Sequence, residues 1–175
     1  MERSKENITE RRLEMGYSAI SIANAFIDIA GQQGRTITNL ALQKLVYIAH
    51  GWYYALTDHP LINEDFQAWK YGPVVYSLYY ALKKYGSGHV TDKVETAFCV
   101  PEGSDDYNFL RAVYKKYGDY TAVQLIALTH KPGSPWEKAG AGKNLYAVID
   151  QNEIKNYFKH LASAWKSGNG TAATA

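Results

Sequence analysis

The chain has 175 residues, a net charge of +2, 46% apolar and 21% charged residues, and a single cysteine, Cys99. That length suits one domain with a sizeable core, and the composition excludes a disordered chain. One cysteine excludes an internal disulfide, no apolar run is long enough to span a membrane, and the charge falls short of the basic excess that phosphate binding demands, so neither membrane nor nucleic acid is indicated.

Residues 1–16 alternate acidic and basic side chains from Glu2 to Glu14 and read as a charged extension. They lack the apolar stretch of a secretory signal, which makes the cytoplasm the expected location. From Tyr17 to Gly34, Ile20, Ala23, Ile27 and Ala30 recur at helical spacing, and Gly31 and Gly34 stop the pattern. A longer helix is expected from Thr38 to Thr57, with Thr38 as N-cap and an apolar stripe of Leu42, Leu45, Val46, Ala49, Tyr53 and Leu56. Phe66 to Tyr71 has the length of a strand. Pro73 then stands where a proline opens a third helix, running to Tyr85.

His89 to Val100 is β-branched and bounded by glycine-rich and proline-rich turns, so it is the second expected strand region. Asp105 to Tyr117 and Thr121 to His130 read as helices, and Ser134 and Pro135 open a short turn carrying Trp136. Asp150 and Glu153 form an approximate capping box for a last helix to about Lys166, with Ile154, Tyr157, Phe158, Leu161 and Trp165 facing inward. "KKYG" ends two helices, which predicts left-handed C′ geometry at Gly86 and Gly118. Residues 167–175 are small and polar, and a disordered tail is expected. The fold class is mainly α (α+β): a compact helical domain over 17–166 with a small β-sheet or hairpin.

The sequence offers little chemistry. The five histidines show no metal-ligand spacing, "GAGKN" lacks the first glycine and the Ser or Thr of a phosphate loop, and the acidic pairs sit in turns or at helix starts. No catalytic residue, metal site or cofactor is expected, and the chain reads as a non-enzyme. The unusual feature is 15 tyrosines against 5 phenylalanines. On the second helix Gln43, Tyr47, His50 and Tyr54 share an arc beside the apolar stripe, and Tyr76, Tyr80 and Lys83 form a parallel set on the third. Two readings stay open: a second packing layer, or a face that binds a partner, since tyrosine is enriched at interfaces.

Three stretches, "ITNLALQKLVYIAHGWYYAL", "AWKYGPVVYSLYYALKKYG" and "LTHKPGSPWEKA", resemble the Panacea domain, the family of SocA-like antitoxins and phage-associated GepA proteins. The motif positions are Leu42, Lys44, Leu45, Trp69, Tyr71, Gly72, Pro73, His130, Pro135 and Trp136, all read as structural, with Trp69 packed against the Leu42 stripe. The resemblance implies a bacterial or prophage antitoxin that neutralises a co-encoded toxin by direct protein contact. The alternatives are an adaptor that delivers the partner to a protease, and a DNA-binding autoregulator using Lys83, Lys84, Lys115 and Lys116.

Overall fold

The computed structural model describes residues 15–141, 143–144 and 146–167. The expected extension, apart from its last two residues, and the expected tail beyond Ser167 lie outside the described residues. Helix α1 (Ala19–Gly31) is capped by the Ser18 hydroxyl, which accepts from the Ser21 N–H. After strand β1 (Ile37–Thr38), helix α2 (Asn39–Thr57) starts where its sequence signals place it, with the Thr38 hydroxyl accepting from the Ala41 N–H.

Helix α2 is the axis of the domain. Helices α1, α3 (Tyr76–Leu82), α4 (Asp105–Tyr117), α5 (Ala122–Thr129) and α7 (Gln151–Lys166) all pack on it. Leu42, Leu45, Val46 and Ala49 are buried as expected, whereas Leu56, at the end of the same stripe, is 62% exposed. Gly51 allows α7 to come close: a Cβ there would lie 2.2 Å from the Phe158 ring. A short helix α6 (Pro135–Lys138) precedes α7, with Ser134 as its N-cap and proline in its first turn. Asp150 caps α7 by accepting from the Glu153 N–H. Ile154 and Phe158 on α7 are buried, but Trp165, expected to face inward, is 66% exposed. No helix among the described residues is long and apolar enough to cross a membrane.

The strands differ from expectation. Strand β2 (Gln67–Trp69) pairs antiparallel with β3 (Gly72–Val74), and β4 (His89–Val90) pairs antiparallel with β1, so the small sheet is two separate ribbons. Only the first two residues of His89–Val100 are strand. The segment after them is held instead by Asn24, whose side chain donates to the Val94 carbonyl at 2.7 Å and accepts from the Val94 N–H at 2.9 Å, as a neighbouring strand would. Pro73 lies in β3, and α3 begins three residues later after Val75. The "KKYG" glycines also depart from left-handed geometry: Gly86 ends a 3-10 turn (Lys83–Tyr85) at φ 54°, ψ −124°, and Gly118 is right-handed at φ −65°. Gly118 is required by space, because a Cβ would sit 2.5 Å from the Tyr114 carbonyl oxygen.

Candidate functional site

The three motif stretches meet around the β2–β3 ribbon and the chain that leads from it into α3. Two consecutive residues of α2 hold that segment. The Gln43 side chain accepts from the Val75 N–H at 3.0 Å and donates to the Val75 carbonyl at 3.4 Å, while the Lys44 ammonium donates to the Pro73 carbonyl at 2.8 Å. Both side chains are buried, Lys44 completely. These bonds explain why Pro73 does not open a helix: its carbonyl and the Val75 backbone are already committed to α2. Burial pushes the Lys44 amine down to about 7, since the charged form loses its water.

Gly72 makes this approach possible. It has φ 103°, and a Cβ there would meet Thr129 Oγ1 at 2.7 Å and Lys44 Cε at 2.8 Å. The next residue, His130, lies flat on Trp136 with ring centroids 3.6 Å apart. Burial first, and the Lys44 charge second, lower the His130 pKa. The Trp136 indole is buried and its N–H donates to the Trp69 carbonyl at 2.7 Å, tying α6 to the β2–β3 ribbon. Lys44, Gly72, Pro73, Pro135 and Trp136, all buried, and the half-buried His130 thus form one junction between α2, the β2–β3 ribbon and α6.

The six residues expected on one partner-binding face divide sharply. Gln43, Tyr47 and His50 are buried, Tyr54 is half-buried, and Tyr76 and Tyr80 are 54% and 58% exposed. Tyr47 packs edge-on against Phe66 and Phe158, with ring centroids 5.1 and 5.9 Å away. Its hydroxyl has no hydrogen-bond partner among the described residues. His50 accepts from the Ile62 N–H at 3.3 Å through Nδ1 and therefore donates from Nε2 to the Gln151 side-chain oxygen at 2.9 Å. Burial holds its pKa down at about 4, against the opposing Gln151 bond. These three side chains are packed inside the domain, because α7 and the 61–75 chain cover that side of α2.

What remains outside is aromatic. Trp69 is half-buried, in contact with Tyr79 at 4.7 Å and Tyr146 at 5.3 Å between ring centroids. Tyr76 and Tyr80 lie 6.4 Å apart, and the Lys83 ammonium stands 4.0 Å from the Tyr80 ring centroid. Tyr71, at the turn of the ribbon, is exposed with Lys70 beside its ring. The sequence reading missed Tyr79 and Tyr146 as members of this face. Tyr79 was legible, since it follows Tyr76 by three residues on a helix. Tyr146 was not, because it reaches Trp69 from a distant loop at a positive φ of 70°. No group of three or more metal-binding side chains occurs among the described residues.

A family profile described as "Antitoxin SocA-like, Panacea domain" matches residues 42–137, from the start of the α2 clamp to just past Trp136. The curated protein Antitoxin SocA of Caulobacter vibrioides (strain NA1000 / CB15N) is 33% identical over 138 residues, covering 73% of this chain and 73% of that protein. No solved structure matches significantly.

Proposed function

Because the chain belongs to the SocA-like antitoxin family with a Panacea domain, we propose that it is a non-enzymatic cytoplasmic antitoxin that binds a co-encoded toxin directly. The contact surface in this reading is the aromatic face of α3 and the β2–β3 turn: Tyr76, Tyr79 and Tyr80, with Trp69 and Tyr71 at its edge. The observation that carries it is the exposure of the four tyrosine rings, beside half-buried Trp69, on a base fixed by Lys44, Gln43 and Trp136. Tyrosine and tryptophan dominate interface energetics, and rings held in place before binding lose little freedom when a partner covers them.

The test is a Tyr76→Asp, Tyr80→Asp double variant co-expressed with the neighbouring toxin gene. Loss of growth rescue and of pull-down, at a parental melting temperature, is the expected result. A folded variant that binds and rescues like the parent would overturn the assignment of this face. Toxin lifetime measured in the same strains separates masking, which leaves it unchanged or longer, from delivery to a protease, which shortens it.

A further inference from the structure

Helices α4 and α7 stand apart over the C-terminal half of α2 and leave a groove of about 520 Å3. Its floor is Trp52 and Leu56 of α2. Helix α4 contributes Phe109, Ala112, Val113 and Lys116, the i, i+3, i+4, i+7 ridge of one helical face, and α7 contributes Ala162 and Trp165. The small side chains Ala112 and Ala162 stand on opposite walls, and the exposed Leu56 and Trp165 are part of the lining.

Among the described residues the charges at the groove have one sign: Lys116 and Lys166 are the ionisable lining residues there besides the Tyr117 phenol. The Lys116 ammonium lies 4.2 Å from the Trp165 ring centroid and 5.8 Å from that of Trp52, and among the described residues neither lysine is paired with a carboxylate. The Tyr117 hydroxyl is already engaged, accepting from the Trp52 indole N–H at 3.0 Å.

We propose that this groove docks an amphipathic helix of a partner protein, with its apolar face on Trp52, Leu56 and Phe109 and an acidic residue reaching Lys116 and Lys166. Three surrounding helices with small side chains on facing walls offer a fourth helix close approach, the usual way an amphipathic segment lies in a groove. The unpaired lysines select acidic flanks. A second copy of this chain is the poorer occupant, because a two-fold contact through the groove sets the same lysines against each other. The site shares no residue with the tyrosine face and does not depend on that face being the toxin contact.

The experiment titrates the full-length protein into two labelled helical peptides of about 15 residues, long enough to form some helix in water. They share a leucine face and differ only in flanks of glutamate or lysine; fluorescence anisotropy reads binding. The glutamate peptide is expected to bind about tenfold or more tighter than the lysine peptide. A Lys116→Glu, Lys166→Glu variant should reverse that order, and Ala112→Arg, an exposed position that fills the middle of the groove, should abolish binding without shifting the melting temperature. Equal affinity for both peptides, no binding of the glutamate peptide, an order unaltered by charge reversal, or parental binding by Ala112→Arg overturns the proposal. A dimer in sedimentation that Ala112→Arg dissociates would assign the groove to a second copy and overturn it too.

Discussion

The Lys44 ammonium donates to the Pro73 carbonyl over 2.8 Å, and among the described residues no other hydrogen bond holds it in a site closed to water. Its pKa is about 7 in the fold against an ordinary 10.5. Between those values the unfolded chain binds the extra proton, so stability rises with pH, by at most about 1.4 kcal/mol per pH unit. The melting temperature should therefore climb from pH 7 to pH 9 in the parent and stay flatter in Lys44→Met, which keeps the apolar stem. Parallel curves for the two proteins would contradict this account.

His50 makes the complementary prediction at acid pH. Its folded pKa is about 4 against an ordinary 6.5, so its neutral form contributes stability above pH 6.5 that is lost as the pH falls towards 4. Protonation of Nδ1 also removes the acceptor of the Ile62 N–H. Nitrogen-resolved NMR should show the Nε2–H tautomer at neutral pH and no titration of this ring above about pH 5 while the fold persists.

Tyr47 distinguishes packing from recognition. With its hydroxyl unpartnered among the described residues, Tyr47→Phe removes a desolvated polar group and should leave the melting temperature equal or raised, since such a group costs about 1–3 kcal/mol. Tyr47→Asp places a carboxylate between Phe66 and Phe158 and should unfold the domain. A melt of Tyr47→Asp matching the parent would return this residue to the surface.

Trp136 is the rivet between α6 and the β2–β3 ribbon. Trp136→Ala removes an indole stacked on His130 and bonded to the Trp69 carbonyl, and a loss of about 3–5 kcal/mol is expected in denaturant titrations. Trp136→Phe should lose less, because the ring contact with His130 survives and only the N–H bond goes.

Helix starts were the most legible part of the fold, because caps are local: Thr38, Thr121, Ser134 and Asp150 each bond to a backbone N–H within their own first turn. The site was legible only in its outer half. Periodicity shows in which direction Gln43, Tyr47 and His50 point, but not that α2 is surrounded on nearly all sides, which leaves no outward face over that stretch. Polar side chains on such a helix look like surface until their partners are known, and those partners, Val75, Pro73 and Gln151, come from other parts of the chain. The same long-range bonds displaced the start of α3 from Pro73. Trp165 was misread for the opposite reason: its helical position is right, but α4 does not close over it.

The Gly51 notch filled by Phe158 bears on how the protein is made. The two sides of that contact lie far apart along the chain, and the neighbouring His50 to Gln151 bond spans 101 residues. At roughly 5–20 residues per second, a ribosome needs about 5–20 s to make that interval. Throughout it the central helix lacks the strip of cover that α7 supplies, with Tyr47 and Trp52 open to whatever binds apolar surface. The domain therefore closes only when almost all of it has been synthesised, and a transcript cut short before α7 yields a chain whose middle stays uncovered.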